Sequence, residues 1–165
     1  MIWFSADLHF SHDAVLDFCS RPFKNATEMD RQLIKRFNSV IKPIDTLFIL
    51  GDVSLDSSDN WKRIARNVQK LNGRKHLVLG NHDHLKPFKY LECGFLSVHT
   101  SLVVNGYFCT HDPAVSVAMK HYKCLCGHVH DLFKMSNNKR VLNVGVDVWN
   151  LMPVSIDQID KEFEE

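Results

Sequence analysis

Five short polar clusters in this chain carry side chains that can bind a metal ion or transfer a proton. They are Asp7-Leu8-His9, Gly51-Asp52, Gly80-Asn81-His82-Asp83, Thr110-His111-Asp112 and Gly127-His128-Val129-His130. Each cluster follows a short apolar run of the kind that forms a β-strand. Because the ends of strands are where an α/β fold gathers its chemistry, the repetition predicts one site that is assembled from five loops.

The clusters offer carboxylate oxygen, amide oxygen and imidazole nitrogen, and no thiolate. The seven candidate ligands are Asp7, His9, Asp52, Asn81, His111, His128 and His130. Such a set suits Mn, Fe or Zn, with geometry choosing among them. Asp7 and His9 would project to the same side of an extended strand end, and the Asp52 carboxylate can offer one oxygen to each of two ions. Two neighbouring ions would lower the pKa of a shared water and hold a phosphoryl oxygen.

The elements that must position these clusters alternate between strand and helix in the first half of the chain. Apolar runs predict strands over 2–6, 46–50 and 76–79. Apolar residues at helical spacing predict helices over 27–41, from Ser58 to Leu71 and over 86–92. Thr27 and Asp30 have the spacing of a capping box at the start of the first helix.

The second half of the chain consists mainly of short runs separated by turns. Runs at 95–104, 107–110, 124–126, 132–135 and 140–146 predict strands, with hairpin turns at Asn105-Gly106 and Asn137-Asn138. Further helices are predicted over 114–121 and 157–163. We therefore predict an α/β fold, a four-layer α/β/β/α sandwich with two mixed β-sheets flanked by helices. It forms one domain over residues 1–165, with no cap domain.

Composition excludes several classes of protein. The chain is 45% hydrophobic and 24% charged with a formal net charge of +1, so no strong field favours nucleic acid or a membrane. The five cysteines form no disulfide framework, and reduced thiols are the simplest interpretation. The first residues lack the features of a signal peptide, and no apolar run approaches the roughly 18 residues of a membrane span. A cytoplasmic protein is predicted, and the oligomeric state is not.

Other chemically active residues favour structural roles. The spacing of Cys124 and Cys126 differs from that of a zinc ribbon and is more typical of a strand with both sulfurs on one face. The cations around Arg63 and Arg66 are more typical of a solvated helix face than of a nucleic-acid groove. Asp147 follows the last core strand, and we expect it to support the site rather than to bind metal.

Taken in order, the five clusters resemble those of the calcineurin-like metallophosphoesterases. The resemblance spans Asp7 to His130, and the family's fold is the four-layer sandwich. It implies two divalent ions, of Mn, Fe, Zn or Ni with Mn favoured. It also implies a ligand set for each ion: Asp7, His9 and His130 for the first, Asn81, His111 and His128 for the second, and Asp52 bridging both.

The same resemblance assigns two further residues to catalysis. His82 matches the family's histidine that binds no metal, which protonates the leaving oxygen or stabilises charge on the phosphoryl group. Asp83 would orient His82 through a hydrogen bond. The implied reaction is in-line attack on phosphorus by a metal-bridging hydroxide, with no covalent enzyme intermediate.

A finer resemblance concerns the substrate side. The stretch Asp7-Leu8-His9-Phe10-Ser11-His12, followed by Arg21-Pro22-Phe23, is similar to a small single-domain subgroup found in bacteria and phages. It implies that His12 and Arg21 line the substrate pocket, with Arg21 forking onto a phosphate oxygen. The alternative is that His12 caps the following helix and that Arg21 is a surface residue.

These observations lead to a metal-dependent phosphoesterase as the predicted function. A phosphodiester is slightly favoured, because few cations accompany the clusters and no cap closes the site. The alternative is a phosphomonoesterase acting on a small metabolite, a nucleotide or a phosphoprotein. A catalytically silent binding scaffold would lack a ligand or His82, and all are present. Nucleic acid is possible as a substrate, but the charge does not indicate it.

Overall fold

The computed structural model describes residues 1–55 and 61–164, and the secondary-structure elements below are those of these residues. In chain order they are β1 (Ile2–Ser5), α1 (Ala14–Phe18), α2 (Ala26–Val40), β2 (Thr46–Leu50), α3 (Trp61–Lys70), β3 (Arg74–Val78), α4 (Pro87–Glu92), β4 (Ser97–His99), β5 (Leu102–Val104), β6 (Tyr107–Cys109), β7 (Cys124–Cys126), β8 (Val141–Asn143), β9 (Val154–Ser155) and α5 (Ile156–Glu164). Short 3-10 helices cover Pro113–Ala118 and Val146–Val148. Ser58, the predicted helix start, lies outside the described residues.

The strands form two sheets. The first has the order β4-β3-β2-β1-β9, in which β1 to β4 run parallel and β9 runs antiparallel to β1. The second has the order β5-β6-β7-β8, in which only the β5–β6 pair is antiparallel. Both sheets are therefore mixed and flanked by helices, which confirms the predicted fold class.

The first sheet is buried on both faces, and this explains the unbroken apolar run of β2. Leu47 and Ile49 pack with α2, α3 and α4 on one face. Leu50 and Phe48 point the other way, into the core that also holds Leu125 of the second sheet. The pleat thus sends alternate residues of one strand into two different cores.

The outer face of the second sheet is covered by a short 3-10 helix and a small core, whereas α2, α3 and α4 cover the outer face of the first sheet. The predicted helix over 114–121 is the 3-10 helix Pro113–Ala118, and the small core beneath it includes Cys124 and Cys126 on β7. The terminal helix α5 instead places Ile156 and Ile159 in the core between the sheets. The strand prediction for the two cysteines is therefore confirmed.

Several local predictions differ from the structure. The run 95–104 divides into β4 and β5, which belong to different sheets, and the run 132–135 contributes one isolated bridge between Met135 and Leu142. Asn25 caps α2 by accepting from the Glu28 N–H at 2.9 Å, so the predicted capping box is wrong. Asp30 is buried instead and accepts from Ser11 and Asn67.

All five cysteines are free thiols. Among the described residues, none of the helices combines the length and the apolar character needed to cross a membrane.

The segments that follow the strands meet at one edge of the sandwich. The Asp7 N–H donates to the Gly51 carbonyl at 3.1 Å, and the His9 N–H donates to the Asp52 carbonyl at 3.0 Å. Ala6 forms a parallel bridge with Gly145, which joins the end of β1 to the segment after β8. The loops after parallel strands are thereby held side by side, and the polar clusters come together there.

Candidate metal centre

One half of the site is largely buried, with only His130 partly exposed. Asp7, His9 and His130 each place a possible ligand atom within 4.8 Å of the others. Asp7 is 0% exposed and His9 is 1% exposed. Neither ring nitrogen of His9 has a hydrogen-bond partner among the described residues. A buried imidazole without partners is costly, and a bound cation would satisfy it, so these three residues fit a metal ion.

The other half of the site is open to solvent. The Asn81 Oδ1 lies 2.9 Å from the His111 Nε2 and 2.8 Å from the His128 Nδ1. His111 is buried, whereas Asn81 and His128 are exposed. The His111 Nδ1 lies 2.8 Å from the Leu50 carbonyl, which can accept its proton and leave the Nε2 lone pair for a metal. This half also has the donor set and the spacing of a metal site.

Asp52 lies between the two halves. Its Oδ2 is 3.6 Å from the His9 Nε2 and 3.4 Å from the His111 Nε2. Its Oδ1 accepts the His82 backbone N–H at 2.9 Å. The same oxygen therefore faces both halves, whereas the expectation was one oxygen for each.

The charges at the centre are strongly coupled. Burial raises the pKa of Asp7 to about 6 and lowers the pKa of His9 to about 3. Burial also opposes ionisation of Asp52 and His111, but their mutual contact outweighs it. That contact, together with the His82 N–H at Asp52 and the Asp7 charge near His111, lowers the pKa of Asp52 to about 2 and raises the pKa of His111 to about 9. In the metal-free protein, Asp7 and His111 thus hold protons at positions where a cation would bind. Metal binding must displace these protons.

The backbone at the centre is left-handed at five of the candidate ligands. These are Asp7, His9, Asp52, His128 and His130, with φ between 46° and 74°. L-residues rarely adopt this conformation, and it concentrates at functional sites. The segment of Asp7 and His9 is therefore not an extended strand end, as had been expected, but the two side chains still bring ligand atoms within 4.8 Å of each other. The loop at residue 80 also lies very close to Asp52. This explains why residue 80 is a glycine, since a Cβ there would collide with the Asp52 carboxylate.

Asp83 does not orient the imidazole of His82. Its carboxylate is buried and accepts backbone N–H groups of Asp52 and Gly80, each at 2.8 Å, and of Val53 at 3.1 Å. Among the described residues no hydrogen bond joins it to the His82 ring. The predicted role is corrected for this reason: both carboxylate oxygens are used to hold the loops that carry Asp52 and Asn81.

Arg21 is neither a substrate contact nor a surface residue, because its guanidinium is buried and fully engaged. Its Nε and Nη2 fork onto the Asp147 carboxylate at 2.7 and 2.9 Å, and its Nη1 and Nη2 donate to the carbonyls of Leu8 and Asp7. Asp147 also lies 3.0 Å from the His130 Nδ1. The Arg21–Asp147 pair therefore contacts the candidate ligand His130 on the side away from the metal position and fixes its orientation, as expected for Asp147.

His82 and His12 lie beside the buried half. The His82 ring centroid is 5.6 Å from that of His9, and the His12 ring is also 5.6 Å from His9. The His12 Nδ1 is buried without a hydrogen-bond partner among the described residues. Burial, with the nearby His82, lowers the pKa of His12. His12 does not cap α1, whose N-cap is Asp13, and its role on the substrate side stays a prediction.

Three neighbours of the centre had not been expected. Asn143 is 0% exposed and donates to the His130 carbonyl at 2.7 Å, which fixes the backbone of a candidate ligand. The Cys19 Sγ lies 3.3 Å from the His130 Nδ1, and the Phe18 ring packs edge-on against His130. The sequence offered one sign of a special role for Asn143, because it is a polar residue within the apolar run that forms β8. The sequence carried none for Phe18 or Cys19.

The structure has two mixed sheets, and the loops at one edge bring carboxylate, amide and imidazole donors together. This combination is typical of metallohydrolases of the phosphoesterase class. Residues 1–160 match the calcineurin-like phosphoesterase family, and the chain belongs to that family. It is accordingly a metal-dependent hydrolase of phosphoric esters.

Relatives match along nearly the whole chain. The chain is 34% identical over 173 residues to an uncharacterized protein of Methanocaldococcus jannaschii, with 99% of this chain and 92% of that protein covered. It is 25% identical over 190 residues to the Gene 66 protein of Mycobacterium phage L5, with 95% and 91% covered.

Solved structures show the same fold. A protein of unknown function from Aquifex aeolicus superposes with a TM-score of 0.76 at 25% identity, and 98% of each chain is covered. The nuclease MPE of Pseudomonas putida superposes with a TM-score of 0.51 at 18% identity, with 78% of this chain and 61% of that chain covered. The second likeness concerns the fold alone.

Proposed function

We propose that the centre is dinuclear and that it hydrolyses phosphodiesters. The observation that carries this proposal is the Asp52 Oδ2, which faces the His9 Nε2 and the His111 Nε2 at once. Asp7, His9 and His130 would hold one divalent ion. Asn81, His111 and His128 would hold the other, and Asp52 would contact both. Mn, Fe, Zn and Ni suit this donor set, and Mn remains the favoured ion.

When bound, the two ions would activate a water and neutralise charge on the phosphoryl oxygens. The chain's own residues supply the rest of the chemistry. The Asp52 Oδ1 accepts the His82 backbone N–H, and the His82 ring lies 5.6 Å from that of His9, which supports a role for His82 beside the metal ions and not as a ligand. His82 would donate a proton to the leaving oxygen, and His12 would contact the substrate.

The preference for a diester rests on Arg21. A phosphomonoester near neutral pH carries up to two negative charges, and a diester carries one. The Arg21 guanidinium is occupied by Asp147 and two carbonyls, so it does not offer its charge to the substrate. The exposure of Asn81 and His128 also leaves room for groups on both sides of the phosphate.

One experiment tests both parts of this proposal. The purified protein is stripped with a chelator, reloaded with Mn, Fe, Zn or Ni, and its metal content is measured. Turnover is then compared on bis(p-nitrophenyl) phosphate and p-nitrophenyl phosphate. We expect two ions per chain and a higher kcat/KM on the diester. A single ion per chain would contradict the dinuclear centre, and a higher kcat/KM on the monoester would favour a phosphomonoesterase.

We also propose that the protein works in the cytoplasm as one domain without a cap. The five free thiols are consistent with a reducing compartment, and the open half of the centre is consistent with the absence of a cap.

A further inference from the structure

A basic groove lies beside the centre, between α2 and α3. It has a volume of about 400 Å³, and its lining includes Ser11, Asp30, Arg31, Arg63, Arg66 and Lys70. We propose that this groove binds the backbone of a single-stranded nucleic acid whose scissile phosphate lies at the metal centre. The inference rests on the proposed function and names its class of substrate.

The charge on this part of the molecule is strongly one-sided. Helix α3 carries Lys62, Arg63, Arg66 and Lys70 and no acidic residue, although the whole chain has a net charge of only +1. Among the described residues no ion pair involves Arg31, Arg66 or Lys70. Asp30, the one acid among the described residues that line the groove, is buried and accepts hydrogen bonds from Ser11 and Asn67. The groove therefore presents cations to whatever enters it.

The spacing of the cations matches a row of phosphates. Arg63, Arg66 and Lys70 are separated by three and four residues, so they share one face of α3. At a rise of 1.5 Å per residue they cover about 10 Å. That length accommodates at least two consecutive phosphates, which are about 3.4 Å apart along the axis of B-DNA and farther apart in an extended single strand. Arg31 faces this row from α2 across the groove.

The shape of the groove favours a single strand. A duplex is a stiff cylinder that would contact the two helix edges, whereas the cations line the concave floor between the helices. A bilayer surface is flat and would meet the helix crests rather than the concave floor. A flexible strand can follow the floor and place its phosphates against both walls.

The groove is connected to the catalytic centre. Ser11 lines the groove and stands two residues after His9, which places their Cα atoms no more than about 7 Å apart. Asp30 holds both the N–H and the hydroxyl of Ser11, at 2.9 and 3.1 Å, and so fixes this loop to the groove floor. We infer that a strand leaving the groove passes along this loop toward the metal centre.

An exposed aromatic ring lies beside the centre as well. Phe18 is 55% exposed, and its ring centroid is 5.4 Å from His130 and 6.0 Å from His12. Exposed aromatic rings beside cationic grooves are the usual stacking platforms for unpaired bases. We assign Phe18 to stacking a base next to the scissile phosphate.

The test measures binding without turnover. A short fluorescein-labelled oligothymidylate is titrated in EDTA with the parent protein and with the triple variant Arg31→Ala/Arg66→Ala/Lys70→Ala, and fluorescence anisotropy is recorded at several salt concentrations. Loss of three phosphate contacts should weaken binding roughly 100-fold at about 0.1 M salt and reduce the salt slope by about 2. The control variant Lys42→Ala/Lys120→Ala/Lys161→Ala removes the same charge from exposed positions elsewhere and should bind like the parent.

Two further measurements separate the alternatives. Phe18→Ala should weaken binding roughly 5- to 100-fold with an unchanged salt slope, because stacking releases no counterions. Vesicles containing phosphatidylserine should not compete for the groove. Equal affinity of the two triple variants, or groove-dependent binding of vesicles but not of the oligonucleotide, would overturn the inference. Turnover of a chromogenic diester by the parent tests the proposed function independently of this groove.

Discussion

The two halves of the metal centre differ in how the fold encloses them. Asp7 and His9 are almost completely buried, and the Arg21–Asp147 pair supports their partner His130 from behind. Asn81 and His128 are exposed, and in this half only His111 is buried. A buried and supported set of ligands is already organised for its cation, whereas an exposed set can exchange its cation and admit substrate. The comparison predicts a tightly held ion at one half and a more labile ion at the other.

The largest effect is expected at the residue that joins the halves. Asp52→Asn removes the negative charge that both His9 and His111 face, so neither half keeps its full affinity for a cation. We expect turnover of the diester to fall to that of chelator-treated protein. Metal content should fall below that of the parent in the same preparation. Full occupancy of both sites in Asp52→Asn would contradict the assignment of Asp52 as a bridge.

The next effect concerns chemistry and not metal binding. His82→Ala should leave the metal content of both halves unchanged and lower kcat by about 100- to 10,000-fold, since it removes a proton donor. His84→Ala is the matched control, because its ring lies 6.3 Å from His82 and farther along the same loop. A variant His82→Ala with the parent's kcat on every diester would show that the assigned role is wrong.

A smaller effect separates the two halves directly. Asp147→Asn removes the carboxylate that holds His130, and the loss of such support commonly costs 10–100-fold in metal affinity. We expect the tighter ion to weaken by roughly that factor while the labile ion is unaffected. Isothermal titration of chelator-stripped protein measures both affinities.

The control for this variant is Asp157→Asn, an exposed carboxylate on α5. The free energy of unfolding is recorded for both variants, because Asp147 is also half of a buried ion pair. Equal weakening of the two ions by Asp147→Asn would remove the distinction between the halves.

The smallest effect is a dependence of stability on pH. In metal-free protein the pKa of His111 is about 9, above its ordinary value of 6.5. Between these values the folded state binds the extra proton, so the contribution of His111 to stability is fully present below pH 6.5 and is lost as the pH rises through 9. Thermal unfolding of stripped protein should show this decrease. Metal-loaded protein should show less of it, because the cation has replaced the proton.

His111→Gln should flatten the pH dependence, and His9→Gln should not, because burial lowers the pKa of His9 to about 3 and it carries no proton above pH 6.5. If both variants flattened the pH dependence of thermal stability equally, the loss of stability at high pH would not arise from His111 in the open half.

Much of the fold was predictable because it depends on local patterns. The run Thr46–Leu50 is apolar at nearly every position, which is characteristic of a strand buried on both faces, and it forms β2 as predicted. The Asn105-Gly106 pair also predicted a hairpin turn, because these two residue types tolerate the positive φ that such a turn requires. Both residues adopt a positive φ in the structure, and they connect β5 to β6. The helix predicted over 114–121 was wrong because about two turns of weak apolar periodicity do not distinguish an α-helix from the shorter 3-10 helix Pro113–Ala118.

Site residues divide in the same way. The residue types and the order of the clusters identified Asp7, His9, Asp52 and their partners as candidates, and the structure brings them together. The roles expected for Arg21 and Asp83 were wrong, because whether a charged side chain meets substrate or backbone depends on what is packed around it. The division of the chain into one domain without a cap stays a prediction.

The sequence by itself determined the donor chemistry, since amino-acid type decides which atoms can bind a metal, and it determined the strands that carry these donors. The tertiary structure decided how the donors are shared. It placed one oxygen of Asp52 between two imidazoles, turned Arg21 inward onto Asp147 and left Asn81 and His128 in solvent. It also set α2 beside α3, so that cations distant in sequence line one groove. The physical reason is that burial and proximity arise only when distant segments pack, and no local pattern encodes them.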